Sequence, residues 1–303
     1  MVIESSTAGP SPQFWFASGR TLTSDASLIV TVDRTVFSLC LVAVGFSSSV
    51  HITILLCVSS DSSGINTRES LPVPAASRGT ADIVGFGASG VVIVRNNFNP
   101  QKTDAHPDFG YIPGWRVEKH VRLLADTTGR GHLDIVGFGD SAVWVALNRG
   151  DNTFGASKAV TTEFTYDLGW RIDKHLRFMA DIRGTGRCDI VGFGDAGVFV
   201  SVNNGDGSFS PAKLAIATFG YEAGGWRLEK HPRFLADVNG NGQLDIVGFG
   251  EDTVWIASNN GDGTFQPARA AVQSLCYNSG GWRVEKHPRF VADLTARGMG
   301  NLT

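Results

Sequence analysis

Between residues 233 and 272 the chain reads as four short bursts of apolar residues separated by glycine: "RFLADV" (233–238), "LDIVGFG" (244–250), "TVWIASNN" (253–260) and "FQPARAAV" (265–272). Each burst has strand length, is rich in β-branched or aromatic residues, and is bounded by turn-forming residues. The separators "NGNG", "GFGED" and "NNGDG" supply the positive φ that tight hairpins need. The pattern predicts four consecutive antiparallel strands, of which the fourth is the weakest.

The same pattern recurs. Trp115, Trp170, Trp226 and Trp282 lie 55, 56 and 56 residues apart, and "DIVGFG" begins at Asp82, Asp134, Asp189 and Asp245. A third phrase returns as "NRGDNTF" (148–154), "NNGDGSF" (203–209) and "NNGDGTF" (259–265). Four antiparallel strands at a period of about 55 residues define an all-β fold, the β-propeller, with one blade per repeat. The repeats divide as 82–133, 134–188, 189–244 and 245–303, within a repeat region 77–303. Residues 1–76 share none of these phrases and form an irregular opening segment, whose runs "SLIVTV" (27–32) and "VHITILLCV" (50–58) could supply one degenerate blade. Trp144, Phe199, Trp255 and Ile93 are read as equivalent third-strand positions, packed between blades.

Composition sharpens this picture in a few places. Thirty-seven glycines among 303 residues fit many tight turns, and a formal net charge of −3 gives no electrostatic basis for binding nucleic acid or an anionic membrane. Cys40, Cys57, Cys188 and Cys276 follow no metal-ligand or redox spacing. The N-terminus has no basic region followed by an apolar run, so no signal peptide is expected, and the location implied is cytoplasmic or non-classically secreted. The apolar run 36–58 has the length of a membrane span, but Ser47, Ser48, Ser49 and His51 at its centre argue against one.

One inter-strand turn carries cation chemistry. "DVNGNGQLD" (237–245) places Asp237, Asn239 and Asn241 at alternating positions of a tight loop, with Asp245 closing it and Gln243 offering its backbone carbonyl. Such converging hard oxygens suit one structural calcium ion. In the other copies Arg130 or Arg183 stands at a ligand position. An arginine there would replace the cation and tie the turn's two aspartates together.

The most insistent phrase joins one repeat to the next: "GWRVEKH" from Gly114, "GWRIDKH" from Gly169, "GWRLEKH" from Gly225 and "GWRVEKH" from Gly281. All four tyrosines (Tyr111, Tyr166, Tyr221, Tyr277) precede the repeated Trp115, Trp170, Trp226 and Trp282, and His120, His175, His231 and His287 follow it. The turn between second and third strands, expected on the same face, carries Asp140, Asp195 and Glu251. Aromatic faces can stack on a sugar ring while carboxylate and imidazole bond its hydroxyls. In a competing reading, an extended phrase would turn Arg283, Glu285 and His287 to one side as a ladder fastening neighbouring blades.

Taken together, "GGWRVEKHPRF", "ADVNGNGQLDIVGFG" and "VWIASNNGDGTF" resemble the fungal β-propeller lectins of the Psathyrella velutina type. The middle phrase is also similar to the FG-GAP repeat of integrin α-chain propellers. The resemblance covers residues 77–298 and implies a multivalent, non-enzymatic lectin. Such a lectin recognises N-acetylglucosamine-type glycans, sialylated ones in some members, in pockets between blades. The family's ring has six or seven blades and this chain shows four repeats, so two or three working pockets are expected, and open blade edges could pair with one another. A protein-binding, integrin-like propeller is the alternative. An enzyme is disfavoured, because the polar groups recur once per repeat instead of forming one singular constellation.

Overall fold

The computed structural model describes residues 82–95, 102–151, 153–292 and 294, together with the backbone of five strands upstream, Ser5–Ser6, Gln13–Trp15, Thr21–Leu22, Phe37–Phe46 and Ser49–Val58. The last two pair as an antiparallel hairpin, so the apolar run 36–58 is not helical. Among the described residues no helix is long and apolar enough to cross a membrane. Residues 50–58 fall within the second strand of that hairpin, while 27–32 lie outside the described residues.

Four sheets follow. The first has three strands, Ile83–Phe86, Val91–Val94 and Lys102–His106, and the other three have four strands each. The second consists of Arg122–Ala125, Asp134–Phe138, Val143–Ala146 and Lys158–Thr161; the third of Leu176–Ala180, Asp189–Phe193, Val198–Ser201 and Lys213–Ile216. The fourth repeats the plan with Arg233–Ala236, Asp245–Phe249, Val254–Ala257 and Arg269–Val272. In each sheet the strands lie side by side in chain order, all antiparallel. This is the blade of a β-propeller, as the repeat predicts. A β-bulge interrupts the third–fourth strand pairing of every sheet, which is why the fourth strand reads weakly in the sequence.

The second strands are buried on both faces from end to end in the second, third and fourth sheets, as sheets stacked between neighbours require. Phe138, Val143 and Val145 of the second sheet share a core with Met179 and Ile190 of the third. Phe193, Val198 and Val200 of the third likewise meet Ile246 and Ala257 of the fourth. Each fully buried Ile or Phe contributes about 1.5–3 kcal/mol by leaving water.

Asparagine side chains fasten one sheet to the previous one along a rim. The Asn203 amide donates to the carbonyls of Thr127 (2.8 Å) in the sheet before and Cys188 (3.1 Å) in its own. Asn259 does the same to Ile182 (2.7 Å) and Leu244 (3.0 Å).

The register corrects one equivalence. Trp144, Phe199 and Trp255 each stand opposite the mid-strand glycine of the second strand (Gly137, Gly192, Gly248), and in the first sheet Val92, not Ile93, stands opposite Gly85. Nor are these aromatics wholly core: Trp255 is 36% exposed, and Trp144 and Phe199 are half-buried.

Candidate functional site

The repeated "GW" phrase is a compact turn, which overturns the extended ladder. The His120 N–H donates to the Arg116 carbonyl (2.8 Å), and the Arg116 N–H donates back to His120 Nδ1 (3.0 Å). The same double closure joins Arg171 to His175, Arg227 to His231 and Arg283 to His287. Glu118, Asp173, Glu229 and Glu285 consequently point to solvent instead of bracing a neighbour.

With Nδ1 occupied as acceptor, the proton sits on Nε2. His120 Nε2–H donates to Asp140 Oδ1 (3.0 Å), and His175 Nε2–H donates to Asp195 Oδ1 (2.9 Å). In the next repeat glutamate replaces aspartate, and His231 Nε2 lies 3.3 Å from Glu251 Oε1 without hydrogen-bond alignment. The imidazoles are buried while the carboxylates stay open, with side-chain exposures of 52% for Asp140 and 57% for Asp195. The hydrogen bond from His120 holds the Asp140 carboxyl below its ordinary range. Burial lowers His175 and His231 and outweighs the carboxylates that pull them upward.

The connection following each sheet is tied to the same carboxylate-bearing turn. The Tyr166 N–H donates to the Gly139 carbonyl (3.2 Å) and the Asp167 N–H to the Asp140 carbonyl (2.9 Å), with equivalents at Tyr221 and Glu222, and at Tyr277 and Asn278. Histidine thus comes from the connection before a sheet and tyrosine from the connection after it. Three sets form: His120, Asp140 and Tyr166; His175, Asp195 and Tyr221; His231, Glu251 and Tyr277. Tyr111 belongs to the first sheet, whose turn carries Ala88 where the others carry an acid, and the exposed His287 faces no carboxylate among the described residues.

Two cations crowd every tyrosine in these sets, and sequence reasoning passed over the lysine. Arg171 stacks 3.7 Å from the Tyr166 ring centre while Lys119, from the preceding connection, reaches to 4.5 Å. Arg227 and Lys174 meet Tyr221, and Arg283 and Lys230 meet Tyr277, in the same way. The recurring lysine in "EKH" and "DKH" was the available signal.

The tryptophans point inward. Trp115 and Trp226 are 7% and 6% exposed, and Trp170 and Trp282 are half-buried. The indoles of Trp115, Trp170 and Trp226 fill the space over Gly137, Gly192 and Gly248 where a Cβ would otherwise sit. Beside each lies a residue held at positive φ: Phe109, Phe164 and Phe219, all fully buried. The aromatic surface available near the carboxylates belongs instead to the third strand, where the Trp144 and Trp255 rings lie against Gly139 and Gly250 of the acidic turn, and Phe199 meets Trp170 edge-on at 6.3 Å.

The turn of the fourth sheet gathers oxygens. Asp237 Oδ1 accepts from the Gly240 N–H (2.7 Å), its Oδ2 from the Gly242 N–H (2.7 Å), and Asn239 and Asn241 accept from Asn241 and Gln243 N–H. Asp245, fully buried, accepts from the Val238 and Asn259 N–H groups, and burial raises its carboxyl. Among the described residues no three His, Cys, Asp or Glu side chains cluster, so a cation here would depend on the amide oxygens, which keep a second lone pair. In the third sheet Arg183 binds Asp189 through Nη2 (2.8 Å) and Nε, but not Asp181, which takes the Thr185 and Gly186 N–H groups. Arg130 in the second sheet turns to Thr128 instead. Neither arginine ties two aspartates together.

Comparison with known proteins places this geometry. An FG-GAP-like repeat family model matches residues 237–298. A solved structure of an Agrocybe aegerita lectin, described for its specific recognition of non-reducing terminal N-acetylglucosamine, is 58% identical with a TM-score of 0.72, over 76% of this chain. The repeats are similar to those of this fungal lectin. The chain spans 58% of the length of the Agrocybe protein. Two toxin assemblies also align, the Photorhabdus luminescens Tc holotoxin pore at 17% identity (90% of this chain, 12% of that one, TM-score 0.42) and TcdB2-TccC3 at 15% (80% and 12%, TM-score 0.43). Their likeness is too slight to carry an argument. No curated protein sequence matches the chain.

Proposed function

We propose that this chain is a non-enzymatic, multivalent glycan-binding protein that takes terminal N-acetylglucosamine at three places on the connection-bearing face. The observation that carries this reading is the 58% identity to a lectin with that specificity. The site chemistry supports it. An exposed carboxylate, oriented from beneath by a buried imidazole N–H, offers fixed acceptors to sugar hydroxyls. The Lys119, Lys174 and Lys230 ammonium groups and the tyrosine hydroxyls flank it as donors. Trp144, Phe199 and Trp255 supply the apolar surface for a ring face or an acetamido methyl. The tyrosine–tryptophan platform gives way to this arrangement, because the indoles are seated inward and the tyrosines already carry cations. Calcium, held by Asp237, Asn239, Asn241, the Gln243 carbonyl and Asp245, would serve structure: its chemistry is charge neutralisation of the turn.

The experiment is a glycan array with free N-acetylglucosamine as competitor, repeated on the combined variant Asp140→Asn, Asp195→Asn, Glu251→Gln. Binding to N-acetylglucosamine-terminated glycans, abolished by free sugar, is expected. Each site loses one charge-assisted hydrogen bond in the variant, about 1.5–3 kcal/mol, so affinity should drop by roughly tenfold to a hundredfold. Preference for sialylated over N-acetylglucosamine-terminated arms would reassign the sugar. A folded protein that binds no glycan would favour a protein-binding propeller, consistent with the FG-GAP match over 237–298.

A further inference from the structure

We propose that the three carboxylate pockets are unequal, that the Asp195 pocket is the high-affinity one, and that Trp170 is its specificity-determining aromatic. This rests on the lectin reading above and assigns which of its pockets does most of the binding.

The acids differ first. Asp140 Oδ1 accepts from His120 and also lies 3.8 Å from the Lys119 ammonium. Glu251 Oε1 accepts from Lys230 at 3.4 Å, while His231 is not aligned to donate to it. Asp195 keeps the imidazole bond, 2.9 Å from His175 Nε2, and among the described residues no lysine pairs with it. Side-chain exposure follows the same order, 57% for Asp195, 52% for Asp140 and 42% for Glu251. A carboxylate that is oriented but not already paired with a cation presents its full charge to a sugar hydroxyl. The two ion-paired acids must yield part of an existing contact before they can do the same.

The lysines differ with them. Lys119 and Lys230 are each shared between a tyrosine ring and an acid. Lys174 leans on the Tyr221 ring at 4.8 Å and pairs with no acid among the described residues, so its ammonium can donate to a second hydroxyl.

The aromatic wall differs as well. Phe199 stands opposite the mid-strand glycine where the flanking sheets carry Trp144 and Trp255. Phenylalanine lacks the second ring of an indole, and Trp170 takes up the space. At Gly194 the place of a Cβ lies 3.2 Å from Trp170 Cη2 and 3.3 Å from the Phe199 ring. At Gly139 and Gly250 the nearest ring atoms belong to Trp144 and Trp255 instead. Trp170 thus reaches the residue next to Asp195, and it is half-buried where Trp115 and Trp226 are sealed in. It is the exception to the inward-seated indoles. With Phe199 edge-on to it at 6.3 Å, the pocket has a wall of two rings. Such a wall suits a pyranose face or the acetamido methyl of N-acetylglucosamine. The unpaired acid and the uncovered indole have separate origins, one at Lys174 and one at Phe199, and they fall on one pocket.

The test is calorimetric titration of the full chain with free N-acetylglucosamine, a monovalent probe that excludes avidity. Wild type should show one tight site and two weaker ones, roughly tenfold apart. Asp195→Asn should remove the tight phase, and Asp140→Asn or Glu251→Gln should each remove one weak site. Phe199→Trp gives this pocket its neighbours' wall and covers Trp170, so it should bring the tight site down to the weak class. Circular dichroism would verify that each variant is folded. Fluorescence provides a second readout. Sugar at a concentration that fills only the tight site should shift tryptophan emission in wild type and in Trp115→Phe, but not in Trp170→Phe. Three sites of one affinity, or a tight phase that survives Asp195→Asn, would overturn the ranking and leave the lectin reading standing. An emission shift that survives Trp170→Phe would remove Trp170 from the pocket. A folded protein that takes up no N-acetylglucosamine would overturn both readings together.

Discussion

His175 shows how much one residue does at this site. Its Nδ1 is closed by the Arg171 N–H and its Nε2 proton is directed at Asp195, so the imidazole serves as a fixed neutral donor beneath an exposed acceptor. Burial lowers its pKa below the ordinary 6.5, and that of His231 likewise. The unfolded chain therefore takes up protons first as pH falls, and stability is lost as pH drops below about 6.5 towards the folded values. Thermal melts between pH 7.5 and roughly 5 should show a falling midpoint. The slope should flatten in a His175→Gln, His231→Gln variant relative to wild type; equal slopes would remove these histidines from the linkage. The raised carboxyls of Asp134, Asp189 and Asp245 act in the opposite sense and are common to both proteins, so the difference isolates the imidazoles. At this scale the sequence was only partly legible. Aromatic residues beside glycine read as exposed, but the glycine that mattered was the one inside "DIVGFG", a strand interior without a Cβ, which marks close approach by another group. Buried arginines were not anticipated at all: Arg177 and Arg233 are pushed down to about 9 by burial, still charged at neutral pH, each donating one bond to a phenylalanine carbonyl.

Among the elements, the four strands of each blade were legible because alternation, length and glycine turns all pointed the same way. The connection was not, because "WRVEKH" has the composition of a strand and becomes a turn only through its own bond from the arginine N–H to histidine Nδ1. The Asp237 turn is the element whose chemistry is most open to measurement. Calorimetric titration should find one calcium per chain, lost in Asp237→Ala. The third sheet should add none, since Arg183 already neutralises Asp189. Burial raises the Asp245 carboxyl, so protons compete with the metal for it, and calcium affinity should weaken as pH is lowered. A stoichiometry of zero, or of several, would contradict the reading.

For the molecule as a whole, the repeat period alone disclosed the architecture, because each copy carries the same strands, turns and connection. Residues 1–76, which share no phrase with the rest, offered no such purchase. The repetition also sets how the molecule would bind. Three such pockets on one face, two built on aspartate and one on glutamate, would convert weak single-site affinity into avidity on a dense surface, on the order of 10²–10⁴-fold if spacing permits. Surface binding assays at high and low N-acetylglucosamine density should differ by that order, and a density-independent affinity would mean a single working pocket.

The rim bonds of Asn203 and Asn259 make the joint between the second and third sheets chemically the same as the joint between the third and fourth. A gene encoding such an array can therefore lose or gain 55 or 56 residues by recombination between copies, and every surviving joint still meets its proper partner. Heredity can edit this molecule in whole units.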